Sequence, residues 1–368
     1  MLKINELLFY ISFFIILIGF SALINGLFLK FAKTLGMRNS GSSNNDETII
    51  RWGSTSKPAF GGISFYILFL FSFIVAAFKH NLIDTQVLGI LISVSLGFMI
   101  GLADDAYNTK PLLKFLGQVT CAVVLVATKT KINLFENDMV NIALTIFWVI
   151  GMMNSVNMLD NMDGITTSVS IFVFLTTLLL FVVKGDFNNI FFIICLGQVA
   201  ALMGFLYFNW NPSRMYMGDS GSQFLGVLLA AVGILFFWNA EQSNGVSLEF
   251  SRKILAAVTV FILPIVDTTS VTINRLLKKQ SPFVGGRDHT THHLSYAGFS
   301  DREVAIVFCA IAAISMFLSI YILRYIEIWN NQAIVLFSSY CIVIFSILYY
   351  LTRIKRPQKV SEVVIEEK

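Results

Sequence analysis

The 368-residue chain is 56% hydrophobic and 13% charged, carries 35 phenylalanines and has a mean hydropathy of +0.75. A globular chain has about a quarter of its residues charged, so this composition excludes a soluble domain, and no nucleic-acid partner is expected. The net charge of +4 says little by itself; its distribution along the chain says more.

In chain order, apolar runs cover 7–29, 59–78, 87–102, 112–128, 139–156, 165–183, 189–208, 222–239, 253–274, 304–323 and 332–352. Backbone polar groups in lipid must be satisfied within their own segment, so runs of this length predict helices. The expected fold is all-α: a polytopic integral membrane bundle of about eleven transmembrane helices. It forms one domain, 1–354, with a polar tail at 355–368. The first run is too long for a signal peptide and is followed by Lys30 and Lys33, which predicts a retained helix. Cys121, Cys195, Cys309 and Cys341 all fall inside apolar runs and predict packing groups, with no disulfide or zinc spacing.

The gaps after odd-numbered runs, with the tail, hold 17 of the 26 Lys and Arg residues. They include Lys30, Lys33, Arg38, Arg51 and Lys57 in the first gap. The basic side is the cytoplasmic one, which predicts an external N-terminus and a cytoplasmic C-terminus. The unusual polar clusters fall in the same odd gaps. Segments separated by an even number of crossings emerge on one side of a bilayer, so these clusters are expected to meet at the cytoplasmic face of the plasma membrane.

Lys57 opens the second run and fits either a ligand contact or the general excess of cytoplasmic lysine. Asp104 and Asp105 close the third run. Acids at a helix C-terminus oppose the macrodipole, which favours a functional reason for the pair. Asn154, Asn157, Asp160 and Asp163 recur every third residue, a spacing that on a helix draws a slanted polar ridge about 13 Å long. Such a ridge offers oxygens to a hard cation and partners to a polar ligand. Asn209, Pro212 and Tyr216 precede Asp219 in a Met-Gly-Asp-Ser-Gly segment. Asp219 there suits a helix N-cap, and the same glycine-flanked helix start suits phosphate.

Asp267 is an acid well inside a run, eight residues from Arg275 on a similar face; a functional role and a structural pair both remain open. Three of the four histidines, His289, His292 and His293, lie beside Arg287 and Asp288. If helical, 289, 292 and 293 share a face. No HExxH pattern or cysteine partner accompanies them, and the basic loop suits a phosphate or diphosphate.

The Asp-Asp pair, the N-x-x-N-x-x-D-x-x-D-G run, the N-x-x-P…M-G-D-S-G loop and the His-His loop, in this order from about Lys57 to Phe299, resemble the polyprenyl-phosphate N-acetylhexosamine-1-phosphate transferases. The family includes the MraY and WecA/TagO enzymes, and eleven spans with an external N-terminus look like the WecA branch. The resemblance implies transfer of a sugar-1-phosphate, most readily GlcNAc-1-phosphate, from a UDP-N-acetylhexosamine to undecaprenyl or another polyprenyl phosphate, with release of UMP. It implies Mg2+, or Mn2+ in its place, and is compatible with a homodimer. Asp104 and Asp105 match the pair beside the lipid phosphate. Asn157, Asp160 and Asp163 match the nucleotide-sugar cleft, Asn209 and Tyr216 the uracil contacts, Asp219 the metal ligand, and His292 and His293 the diphosphate loop. Lys57, Arg287 and His289 complete the expected substrate-binding set. Asn161 departs from the family's usual glycine, and the loop reads His-Thr-Thr-His-His-Leu instead of three consecutive histidines. That departure argues against the lipid I-forming, muramoyl-pentapeptide alternative. An ion-coupled transporter, the rival from another class, would carry its acids near the bilayer midplane and show internal repeats.

Overall fold

A computed structural model describes residues 4–34, 57–80, 84–242, 245, 247–281 and 286–353. Arg38, Arg51 and the tail after residue 353 lie outside the described residues. The helices are α1 (Ile4–Thr34), α2 (Gly61–His80), α3 (Thr85–Tyr107), α4 (Pro111–Ala127), α5 (Asp138–Leu159), α6 (Ile165–Lys184) and α7 (Ile190–Asn209). There follow α8 (Gly218–Gly233), extended by a π-helical turn at Ile234–Trp238, then α9 (Phe250–Val260), α10 (Ile262–Leu277), α11 (Thr290–Tyr296), α12 (Asp301–Arg324) and α13 (Asn331–Leu351). Among the described residues, extended pairing is limited to one isolated bridge, Glu241 with Ser247.

The fold is the all-helical membrane bundle that the apolar runs predict, and each run has its helical counterpart. Among the described residues, nine helices are long and apolar enough to cross a membrane, and the bent α9–α10 pair allows up to ten. The fourth run is the 17-residue α4, started by Pro111 at its first position, where the missing N–H costs nothing. Two boundaries move. The third run extends to Tyr107, so both aspartates lie on the last turn of α3, and the eighth begins at Gly218, so Asp219 lies in a first turn. The ninth run is not one straight span: α9 and α10 meet at Phe261 with a 79° bend. Pro264 lies three residues on and has no N–H to return to Val260, so the helical ladder breaks there.

In α8, 89% of the apolar stretch is buried within the protein, against 22% in α1 and 11% in α13. That contrast makes α8 the central pillar and α1 and α13 peripheral, lipid-facing helices. Aromatic side chains fill the space around the pillar. Phe224 meets Phe69 and Tyr66 edge-on, and Trp148 stands between Trp238 and Phe261. A second apolar cluster, including Leu159, Ile165, Val266, Leu294 and Phe308, seats the short α11 against α10 and α12. The packing of α3 on α8 is close enough that a Cβ on Gly101 would lie 2.1 Å from the carbonyl oxygen of Asp219. A glycine there is what lets the two aspartate-bearing helix ends touch.

Candidate active site at one membrane face

The four polar clusters meet, as their parity predicts. Asp105 accepts hydrogen bonds from the backbone N–H groups of Asp219 (2.8 Å) and Ser220 (2.9 Å). A carboxylate of α3 therefore caps the start of α8, where the first N–H groups have no intrahelical partner. This decides between the two readings of Asp219: the cap is Asp105, and the Asp219 side chain is turned to other groups. Gly218, at φ +74°, permits the approach, since a Cβ there would lie 2.8 Å from Asp105 Oδ2.

Asp104 faces the other way. Its Oδ1 accepts from the backbone N–H (2.9 Å) and hydroxyl (2.6 Å) of Thr109, and its Oδ2 pairs with Lys114 Nζ at 2.7 Å. The same ammonium lies 3.4 Å from Asp219 Oδ1, and Asn157 Nδ2 donates to that oxygen and to Ser222 Oγ. Lys114 is thus a central group that the sequence reading missed. A signal was present: a cation in the first turn of α4 opposes the macrodipole as the acids at the end of α3 do.

The expected ridge is shorter than its spacing suggests. Asn154 and Asn157 lie on α5, but the helix ends at Leu159; Asp160 is its C-cap, and Asp163 sits in a turn closed by Gly164 at φ +76°. Burial, then the charges of Asp219, Asp163 and Asp105, push the Asp160 carboxyl up to about 8. Asp163 accepts from the Ser213 N–H (2.8 Å) and hydroxyl (2.7 Å) and pairs with Lys57 at 3.5 Å. Lys57 also donates to Ser213 Oγ at 2.9 Å and stands 5.1 Å from the centre of the Tyr216 ring. Burial raises the Tyr216 phenol, with Lys57 opposing, so the ring remains neutral. Asn209 lies beneath this loop. It accepts from Thr167 Oγ1 (2.7 Å) and donates to Met215 O (3.0 Å), which makes it a buried brace in place of the expected lining group.

The histidine segment hangs from α10. Asp267 pairs with His289 Nδ1 at 2.8 Å and accepts from the N–H (2.8 Å) and hydroxyl (2.6 Å) of Thr290. Arg275 grips Asp288 through Nε (2.9 Å) and Nη2 (2.8 Å). Burial alone would raise the Asp288 carboxyl; Arg275's hydrogen bonds and charge outweigh it and hold the group below its usual range. Of the two readings left open for Asp267, the pair with Arg275 is not seen among the described residues: each side chain reaches forward to the histidine segment. His289 is the N-cap of α11, so the three histidines do not share one face. His289 and His292 meet edge-on at 5.4 Å, whereas His293 packs on Tyr296. Burial and the neighbouring His289 lower His292 to about 3, so at neutral pH its ring is uncharged. Arg287 borders the segment, its carbonyl accepting from Tyr296 OH at 3.1 Å. Thr291 donates to Asn161 Oδ1 at 2.6 Å. Asn161 has no positive φ among the backbone outliers; its side chain ties the α5–α6 turn to α11.

A glycosyl transferase family 4 profile matches residues 87–237. The chain is 27% identical, over 76% of both sequences, to the Bacillus subtilis protein named "Probable undecaprenyl-phosphate N-acetylglucosaminyl 1-phosphate transferase". It is 29% identical to a phospho-N-acetylmuramoyl-pentapeptide-transferase of Staphylococcus carnosus, over 73% of this chain and 85% of that one. By these likenesses the chain is similar to the polyprenyl-phosphate hexosamine-1-phosphate transferases. The matched stretch runs from α3 to the π-helical turn and carries Asp104, Lys114, Asn157, Asp163 and Asp219.

Proposed function

We propose that this membrane transferase moves GlcNAc-1-phosphate from UDP-GlcNAc to a polyprenyl phosphate, undecaprenyl phosphate in a bacterial inner membrane, and releases UMP. The observation that carries the reading is the convergence of Asp104, Lys114, Asn157 and Asp219 at one end of the bundle. There a lipid phosphate at headgroup level can meet a soluble nucleotide arriving from the cytoplasm. An oxygen of the lipid phosphate attacks the phosphorus that bears the sugar. The new P–O–P link forms as the bond to the bridging oxygen breaks, and UMP leaves with that oxygen. A phosphate monoester's second pKa is near 6, so the attacking group is already ionised at neutral pH, and a direct displacement needs no aspartyl intermediate.

The donor set suits a magnesium ion. Mg2+ is commonly held by one or two carboxylates with substrate phosphates and waters completing its shell. Among the described residues no group of three or more His, Cys, Asp or Glu could hold a metal alone. The need for positive charge is visible in Lys114 between two carboxylates and in the elevated Asp160. Asp219 is the ligand we assign, Mn2+ being a substitute, and the ion would offset diphosphate charge. Lys114 holds a phosphate oxygen, and Asp105 fixes Asp219 by capping α8. Tyr216 offers its ring to uracil above Lys57, and Arg287 and His292 border the sugar-diphosphate side.

The choice of GlcNAc rests on the His-Thr-Thr-His-His segment and on the Bacillus relative. The Staphylococcus relative favours a second reading, UDP-MurNAc-pentapeptide. Purified protein given polyprenyl phosphate, Mg2+ and a panel of UDP-sugars tests both. UMP release with UDP-GlcNAc, dependent on lipid and metal, is expected; exclusive use of the pentapeptide substrate would overturn the sugar and keep the chemistry.

A further inference from the structure

Beneath the charged groups lies a second polar tier. Gln118, Asn154 and Gln223 stand on α4, α5 and α8, the three helices that carry Lys114, Asn157 and Asp219. Each lies one turn deeper than its neighbour: four residues after Lys114, three before Asn157, four after Asp219. Gln118 Nε2 donates to Gln223 Oε1 at 3.0 Å and to Asn154 Oδ1 at 3.3 Å, and Asn154 Nδ2 donates back to Gln118 Oε1 at 2.9 Å. Gln118 is 1% exposed and Gln223 is fully buried.

Stability does not account for this tier. Gln223 Nε2 is buried with no hydrogen-bond partner among the described residues. Leaving such a donor unsatisfied costs about 1–3 kcal/mol, which an apolar side chain of similar volume would avoid. The amides supply something an apolar contact lacks. Packed leucines tolerate sliding, whereas a chain of directional hydrogen bonds is satisfied in one mutual register of its three helices.

We propose that Gln118, Asn154 and Gln223 are positioning residues that set the separation of Lys114, Asn157 and Asp219 in the tier above. The inference deepens the transferase reading and rests on it for its kinetic consequence. A misplacement of ~1 Å can cost about a hundredfold in rate, so small slips of α4 or α8 matter.

The test uses purified full-length Gln223→Leu and Gln118→Leu, with the exchanged pair Gln118→Asn/Asn154→Gln as a second kind of variant. The expected result for the leucine variants is a kcat loss of about ten- to a hundredfold with UDP-sugar KM little changed. The thermal midpoint should not fall in Gln223→Leu, which removes the unsatisfied Nε2, whereas Gln118→Leu leaves Gln223 Oε1 without its donor and should lower it. In both, Mn2+ affinity, read by EPR titration without turnover, should weaken. The exchanged pair keeps one long and one short amide across α4 and α5 and should recover most of the loss. Full kcat per folded molecule in the leucine variants, or losses that track lost folded protein in every variant, would overturn the inference. Absent transfer by the wild type with Mn2+ binding still weakened in the variants would overturn the reaction and leave the tier standing.

Discussion

Lys114 is held between two carboxylates that would otherwise repel each other, with side-chain exposures of 16% for Lys114 and 10% for Asp104. Removing its charge leaves both acids uncompensated in a poorly hydrated place. On the proposed role, Lys114→Met should lower kcat by about a hundredfold or more, the scale of losing one preorganised charge-stabilising donor; Lys114→Arg should lose less. Steady-state kinetics on the two variants checks this. Asp160 yields a stability prediction of definite sign. Its folded-state carboxyl titrates near 8 against an ordinary 3.8, so between those values the folded protein holds a proton that the unfolded chain has released. That contribution opposes folding increasingly as pH rises through the window. Asp160→Asn should therefore stabilise the substrate-free protein at pH 7.5, by on the order of a few kcal/mol at most, read as a higher thermal midpoint, and leave that midpoint almost unchanged near pH 4. An equal effect at both pH values would refute the assignment. At this scale the aspartates were legible because charge is rare in an apolar chain. Their partners were not: Lys114, Ser213 and Thr291 become visible only when distant segments are brought within hydrogen-bond reach.

Helix ends do much of the positioning. Asp105 supplies to α8 a cap that its own N-cap residue, Met217, cannot. Asp105→Ala should cost about 1 kcal/mol of stability, the usual scale of a lost cap, and should reduce activity well beyond that by freeing Asp219. Comparing the chemical-denaturation midpoint with kcat separates the two effects. A second prediction concerns the link from the α5–α6 turn to α11. Thr291→Val deletes the hydrogen bond to Asn161 while nearly preserving volume. On the proposed reading it should raise the KM for the UDP-sugar several-fold and leave that for polyprenyl phosphate unchanged, since α11 belongs to the nucleotide-sugar side. Equal changes in both constants would detach α11 from that side. The periodicity of the sequence located these elements but not their ends. The polar ridge stops because α5 ends before Asp160, and the ninth run bends where Pro264 interrupts the ladder. A cap donated from another helix leaves no local mark in the sequence at all.

Across the whole molecule, the one-sided basic residues and the convergence of four odd gaps are independent observations that agree on a shared face. The proposed orientation puts that face in the cytoplasm. Cysteines introduced at Lys110 and Ser281, in a background without the native four, should be protected from an impermeant thiol reagent added outside intact cells. One at Glu136, on the opposite side of α4, should react. The reverse pattern would invert the topology while leaving the site intact. The class of fold and the shared face were readable because a bilayer admits few architectures; the burial order, with α8 central and α13 outermost, arises from tertiary packing and was not. The way α10 grips the histidine segment bears on how freely the chain leading to it can vary. Asp267 and Arg275 fasten it at His289, Thr290 and Asp288, downstream of the connection from α10. Lengthening that connection between Gln280 and Gly286 adds only a slowly growing closure entropy, about 0.6 kcal/mol per doubling. Residues can thus be added to that connection without releasing the grip on Asp288, His289 and Thr290, so its length is free to vary while the histidines stay in place.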